Sequence, residues 1–369
     1  MRRLILFLVL LGVVLFAGGR VSEAKQMKDM DVDVSGVLQA GYSWSEIANT
    51  NDQFDISRMR LRLKGSVNAD VSYFTELELA GNTSSSYAPA AIPSGTPASN
   101  LNLSNAAGSR LAQKDMGADS RLVMAYVDLN YWGKTTILKT IRIGQMPRGS
   151  NYELAIPVDQ LETINYSTNV GQFGKYVRGV QFKLKPYRWM SLGIGIDNGN
   201  GGITGTDGAL DDSTSWGVKA TFFPKDYMQI KAFFRNVNKS EWMPDAQCYG
   251  GGMIYKYAGF NFMSEYYGCN PDPLNDGTKS TVEADITSWF MHVSYIIPDT
   301  KLQLVARYNE FEKEVSSRTT GAQVSDYDLQ ITTLGFNWMF DKNTRLQVMR
   351  EMIDGEDNDS TDVQLQIKF

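Results

Sequence analysis

The sequence predicts an all-β fold, a transmembrane antiparallel β-barrel with about sixteen strands, on three observations. From residue 31 onward, apolar and polar residues alternate with a period of two, as they do in strands with one apolar and one polar face. The alternating segments are about 10–13 residues long, which is the length that a tilted strand needs to cross a bilayer. The connections are alternately short and long. That segregation is typical of outer-membrane barrels and has no cause in a soluble sandwich.

The strands follow one another along the whole chain after its first 30 residues. In order, we predict strands at 32–44, 54–67, 70–80, 120–132, 136–146, 175–185, 189–198, 213–223, 227–238, 247–257, 259–268, 285–297, 300–312, 327–339, 343–353 and 359–369. Two of the long connections, 81–119 and 147–174, are expected at the outer rim. Because an unpaired strand edge is costly in lipid, the strands must close into a barrel.

The N-terminus has the pattern of an export signal. Two arginines precede the apolar run Leu4–Ala17, and Ser22-Glu23-Ala24 follows as a small-x-Ala cleavage site. The apolar run has about 14 residues, fewer than the ~20 that a membrane-spanning helix needs. We therefore expect a cleaved signal peptide at 1–24 and an exported barrel domain at 25–369.

Composition argues against catalysis and against nucleic acid as a partner. The chain has one histidine and two cysteines, too few for a His/Cys metal cluster. We expect no catalytic residue, no cofactor and no metal, and we interpret the lone His292 as a solvated residue of the inner wall. The formal net charge of −5 disfavours binding to phosphate backbones. The protein is not expected to be an enzyme.

The second strand has a row of cations on one face. Arg58, Arg60, Arg62 and Lys64 alternate there with apolar residues. Each cation facing lipid would cost about 2–4 kcal/mol near the bilayer midplane, so this face must look into the lumen. The row can act as a track for anions along the inner wall.

A second interpretation of the same row is charge pairing. Glu76 and Glu78 share one face of the next strand and must also look inward. Cross-strand pairs would cancel much of the field of the arginines. The connection 147–174 contributes Arg148 and Glu153 as further candidate pore-lining residues, and it also contains Asp159 and Glu162. Both interpretations remain open at this point.

Seven segments between the second strand and the C-terminus occur in the order of one known family. They are Phe54–Val67, IRIGQMP at 141–147, GIDNGNG at 195–201, SEYYG at 264–268, LVARYNEF at 304–311, TLGFNWMFDKNTRLQV at 333–348 and the terminal VQLQIKF. In their order and spacing they resemble the phosphate-selective outer-membrane porins of the O/P type. The resemblance implies a usually trimeric, sixteen-stranded barrel whose third long loop folds inward, here 147–174. It also implies an anion pathway with arginines at alternate positions, a spacing that Arg58, Arg60 and Arg62 match.

The two cysteines flank a predicted hairpin. With a tight turn at Ala258-Gly259, Cys248 and Cys269 would lie directly opposite each other on neighbouring strands. In an oxidising compartment such a pair forms a disulfide. We predict a structural disulfide between them.

Together these features predict a porin in the outer membrane of a Gram-negative bacterium. It would let small hydrophilic solutes or ions diffuse passively, with anion preference left open, and would contact outer-membrane lipid, lipopolysaccharide and two further copies of itself. The alternative is a barrel that acts as a sleeve for a partner such as an electron-transfer protein. The chain has no Cys-x-x-Cys-His haem motif, so redox work would need that partner.

Overall fold

The computed structural model describes most of the barrel. The described residues are 31–45, 53–81, 121–130, 137–147, 149, 152–167, 176–197, 214–237, 246–271, 282–317, 323–354 and 359–369. The predicted signal peptide 1–24, Arg148 and all but the first residue of the connection 81–119 lie outside the described residues.

Within the described residues, sixteen strands form one closed antiparallel barrel. They are β1 Asp31–Ser45, β2 Gln53–Asn68, β3 Val71–Gly81, β4 Arg121–Leu129, β5 Leu138–Pro147, β6 Tyr176–Tyr187, β7 Met190–Asp197, β8 Ser215–Lys225, β9 Met228–Val237, β10 Ala246–Tyr257, β11 Phe260–Pro271, β12 Val282–Ile296, β13 Leu302–Ser317, β14 Gln323–Met339, β15 Thr344–Ile353 and β16 Ser360–Lys368. Each strand pairs with its neighbours in the chain, and β1 pairs with β16 to close the sheet. The predicted fold class and strand order are confirmed.

The strands differ from the prediction mainly in their outer ends. The strand predicted at 300–312 extends to Ser317 as β13, and the strand predicted to begin at 327 begins at Gln323 as β14. The apolar–polar alternation weakens in these extensions, but backbone pairing between β13 and β14 continues through them. Period-two patterning reports only the segment with an apolar face, whereas the hydrogen-bonded ladder does not depend on side-chain polarity.

The two faces of the wall have opposite character. Large apolar side chains project from the outer surface, with Ile196 49% and Trp216 44% exposed. Polar side chains such as Gln347 and Gln366 are buried on the inner face, with 0% exposure. An apolar exterior over a polar interior matches a barrel surrounded by lipid. Among the described residues, no helix has the length and apolar character to cross a membrane.

The β10–β11 hairpin has the predicted turn and register. Ala258 and Gly259 both have positive φ, at 50° and 80°, as in a two-residue turn that matches the twist of the strands. From that turn, Cys248 pairs directly with Cys269, and the structure joins them in a disulfide. The bridge packs on the inner face against Phe233 and Tyr267.

Candidate pore constriction

The segment 152–167 lies inside the barrel. Its first backbone N–H, that of Tyr152, donates to the carboxylate of Glu265 on β11 at 3.0 Å. Farther along, the carbonyl of Asp159 accepts a hydrogen bond from the side-chain amide of Gln366 on β16 at 3.1 Å. These strands lie well apart around the circumference, and both side chains are on the inner face. The segment therefore crosses the lumen.

Apolar side chains fasten this segment to the wall. It contains two single-turn 3-10 helices, Glu153–Ala155 and Val158–Gln160. Leu154 packs against Val123 of β4, while Val158 and Leu161 pack against Val37 of β1. The residues of the segment that stay exposed are Ala155, Pro157 and Gln160. These three residues are uncharged, but the side chain of Glu162 in the same segment is 20% exposed.

Glu162 is the most heavily bonded acid of the segment. Its carboxylate lies 2.6 Å from His292 Nε2 and accepts hydrogen bonds from the Ser294 hydroxyl at 2.6 Å and from the amides of Asn261 and Gln303, each at 2.8 Å. Burial alone would raise the pKa of Glu162, but the bonds from His292, Ser294 and Asn261 outweigh it and lower the pKa to about 2. Glu162 is therefore ionised in its docked position.

His292 differs from its sequence-based interpretation. It faces the lumen as expected, but it is only 3% exposed because the inward segment covers it. The interpretation as a solvated wall residue is wrong. Sequence patterning gives the face on which a strand residue lies, but it does not show what a distant segment places over that face.

The other two described acids of the segment pair with cations of the wall. Glu153 is 1% exposed, pairs with Arg307 of β13 at 3.0 Å and accepts a hydrogen bond from the backbone N–H of Ser167. Asp159 pairs with Arg62 of β2 at 2.5 Å and with Lys368 at 3.3 Å. Burial would raise the pKa of Asp159, and these two cations lower it below its ordinary value. We call the inner wall beneath the segment, represented by Arg62, His292 and Arg307, the docking wall.

The arginine row of β2 is largely matched by carboxylates. Arg60 pairs with Glu76 and Glu78 of β3, each at 2.7 Å, and Arg62 pairs with Glu76 at 2.5 Å in addition to its contact with Asp159. Arg58 lies over the ring of Tyr166, with 5.3 Å from its guanidinium carbon to the ring centroid. These contacts are those of the charge-pairing interpretation.

Lys64 lies apart from the rest of this row. It is exposed and is close to the short turn between β2 and β3. Its ammonium group therefore faces water near one rim and not the segment that crosses the lumen.

A second set of inward cations lies across the lumen, on β5 to β9. Three of them are paired: Arg142 with Asp128 at 2.7 Å, Lys231 with Glu265 at 2.9 Å and Arg235 with Asp197 at 2.6 Å. We call this part of the inner wall the open wall.

Lys183 and Lys219 are the exceptional cations of the open wall. Among the described residues, no carboxylate oxygen lies within 4 Å of either ammonium group, and both side chains are half-buried. They sit in one row across three strands, because Gly193 of β7 pairs with Lys183 on one side and with Lys219 on the other. Sequence reasoning missed them because the two lysines become neighbours only through the pairing of both strands with β7. In the sequence, each of these lysines alternates with apolar residues that face outward, such as Val218 beside Lys219. That alternation was the available indication that the lysines face the lumen.

In the part of the chain that the structure describes, no group of three or more His, Cys, Asp or Glu side chains is placed to hold a metal ion. The arrangement instead offers a polar lumen, an inward segment and two half-buried lysines without a described carboxylate partner.

Known proteins of similar structure share this architecture. No protein-family model and no curated protein sequence matches the chain. The outer-membrane channel DcaP of Acinetobacter baumannii is 14% identical over 93% of this chain and 98% of its own, with a TM-score of 0.61. The trimer form of OmpT, an outer-membrane protein of Vibrio cholerae, is 14% identical over 92% and 99%, with a TM-score of 0.58. An anion-selective porin from Comamonas acidovorans is 9% identical over 92% and 99%, with a TM-score of 0.54. At these identities the likeness shows the fold alone: the chain has the barrel fold of outer-membrane porins.

Proposed function

We propose that the protein is an outer-membrane porin through which small hydrophilic solutes and ions diffuse passively. The observation that carries this proposal is the segment 152–167, which narrows a closed barrel whose inner face is polar and whose outer face is apolar. A narrowed polar lumen admits solutes by size and charge and needs no chemical step.

We further propose that the channel prefers anions. Glu153 and Asp159 of the inward segment are paired with wall cations, and Glu162 is held by hydrogen bonds from wall side chains that include Ser294 and Gln303. The open wall adds Lys183 and Lys219, which no described carboxylate matches. These two ammonium groups make the open wall positive, and a positive wall raises the local concentration of anions.

The candidate pore-lining residues from the sequence then divide by role. We assign Arg60, Arg62, Glu76 and Glu78 to holding β2, β3 and the segment together, because their charges meet one another. Glu153 has the same docking role through Arg307. Lys64, which is exposed, remains a candidate for contact with permeating ions, whereas Arg58 is only 6% exposed and lies against the ring of Tyr166. Arg148 lies outside the described residues.

Location and assembly follow as parts of this proposal. The apolar outer wall suits outer-membrane lipid and lipopolysaccharide, and the N-terminal 1–24 suits an export signal. We propose a homotrimer, as the name of one structural neighbour states for that protein. The mass of the purified protein in detergent, corrected for bound detergent, tests this, and a monomeric mass contradicts it.

A planar bilayer experiment tests the channel function. The purified mature protein should give stepwise conductance and, under a KCl gradient, a zero-current potential of the sign that marks anion preference. A cation-selective potential would contradict the preference alone. Absence of conductance would contradict the porin function. The sleeve alternative gains no support, because the segment 152–167 occupies lumen that a threaded partner would need.

A further inference from the structure

The open wall contains a hollow where inward positions have no side chain. Three inward-facing positions of β7 and β8 are occupied by glycine: Gly193, Gly195 and Gly217. Gly195 pairs directly with Gly217. The backbone of Gly149, where the chain enters the inward segment, lines the other side of the same cavity. We call this cavity the glycine hollow. Its floor is backbone, so a solute in it can approach the sheet closely.

One end of the glycine hollow has two converging hydrogen-bond donors. An ideal Cβ built on Gly149 would lie 3.0 Å from the amide nitrogen of Gln181 and 3.4 Å from Nζ of Lys219. Both donors therefore point to the same small space. Lys183 lies two residues from Gln181 on β6 and pairs with Gly193 of the hollow. An ammonium group and a side-chain N–H together suit an oxyanion.

The other two charged residues that line the hollow form an ion pair with each other. Asp197 also lines the cavity, but its carboxylate lies 2.6 Å from the guanidinium of Arg235. That contact neutralises the one acid at this site among the described residues. The local charge offered to a ligand is therefore that of Lys219.

Apolar side chains line the side of the hollow. Met146, Val177 and Phe233 are buried there, and Pro147 borders the same space. An inorganic anion has no apolar surface to bury there, so these side chains add nothing to its binding free energy. A ligand with a hydrocarbon or aromatic body gains about 25 cal/mol per Å² of apolar area that leaves water.

We propose that the glycine hollow is a binding site for small organic anions, in which Lys219 and Gln181 hold a carboxylate and Met146, Val177 and Phe233 contact its apolar body. The proposal rests on the proposed porin function, since the ligand reaches the hollow from the lumen. A permeating organic acid would pause at this site, so its passage would saturate with concentration.

The test uses benzoate as probe, with acetate and inorganic phosphate for comparison. In planar bilayers, each anion is added to the purified mature protein in KCl, and the fall in single-channel conductance is followed against concentration. We expect benzoate to reduce conductance saturably, with a half-blocking concentration about tenfold or more below those of acetate and phosphate, a ratio equal to about 1.4 kcal/mol.

Two variants separate charge from shape. Lys219→Met removes the ammonium group and should raise the half-blocking concentrations of benzoate and acetate by similar factors. Gly195→Val fills the hollow and should raise the value for benzoate about tenfold while that for acetate changes little. A Cβ at Gly195 meets no heavy atom nearer than 3.9 Å, so the wall accepts it. Lys225→Met, at an exposed position near the short turn after β8, is the matched control and should change neither value.

Calorimetric titration of benzoate into the detergent-solubilised protein keeps the two proposals distinguishable. Saturable binding that Gly195→Val weakens supports the site even without conductance, and the loss of conductance would then count against the porin function alone. Equal block by benzoate and acetate overturns the organic-anion site, as does benzoate binding that Gly195→Val leaves unchanged. Conductance and ion preference would still stand in that case.

Discussion

The docking wall and the open wall face each other across the lumen and use charge in different ways. On the docking wall, Glu153 and Asp159 of the inward segment each pair with a cation, and Glu162 is hydrogen-bonded to His292. On the open wall, Lys183 and Lys219 have no described carboxylate within 4 Å and are partly exposed. The richest cluster of charge in the sequence therefore holds the structure together. We propose that permeating ions meet the few unmatched charges elsewhere.

The largest expected effect comes from breaking the docking wall at Arg307. Arg307→Met leaves the buried carboxylate of Glu153 without its guanidinium, and losing one partner of a buried pair costs about 3–5 kcal/mol. We expect the free energy of unfolding in urea, followed by tryptophan fluorescence, to fall by that amount.

Two comparisons control this result. Arg307→Met combined with Glu153→Gln should recover part of the loss, because the side chain at position 153 is then neutral, while the buried carboxylate of Glu351, 3.8 Å from Arg307 in the wild type, still loses that ion pair. Lys219→Met on the open wall should stay within about 0.5 kcal/mol of wild type. Equal destabilisation by Arg307→Met and Lys219→Met would remove the distinction between the walls.

Removing the disulfide should lower the stability of the barrel without altering Lys183 or Lys219. Replacing Cys248 and Cys269 by serine removes a cross-link between residues 21 apart in the chain and should lower the free energy of unfolding by about 2–4 kcal/mol. The zero-current potential should not change. Wild-type protein unfolded with reductant should match the variant. If the zero-current potential of the variant differed from that of the wild type, a loss of stability alone would be enough to alter ion selectivity.

Neutralising a matched pair should leave selectivity unchanged. In Arg60→Met with Glu78→Gln, one cation and one acid that lie 2.7 Å apart are removed together. We expect a zero-current potential equal to that of wild type, because the net charge of the wall is the same. A potential shifted toward cations would show that permeating anions sense Arg60 despite its pairing.

The smallest effect expected near neutral pH concerns Glu162. Its pKa in the folded protein is about 2, below its ordinary value of 4.5. Its contribution to stability is therefore fully present above pH 4.5 and is lost as the pH falls toward 2. The difference in urea midpoint between wild type and Glu162→Gln should be constant from pH 5 upward and should shrink below pH 4. A difference that persists unchanged at pH 2.5 would contradict the docked, ionised carboxylate.

Local patterning explains why so much of the barrel is predictable. A strand with one face in lipid must alternate, so the strands, the inward face of Arg60 and the register of Cys248 with Cys269 all follow from nearby residues. The constriction does not follow in this way. Glu162 and His292 are 130 residues apart, and their contact depends on where a long connection settles in the lumen. Lys183 and Lys219 become neighbours only through the pairing of both strands with β7.

The zero-current potential of Lys183→Met/Lys219→Met under a KCl gradient tests the central claim most directly. We predict that the wild type prefers anions and that the double variant loses most of that preference while conducting normally. Lys225→Met should retain the wild-type value. If the double variant stays as anion-selective as wild type, the open wall does not set selectivity, and the account is wrong.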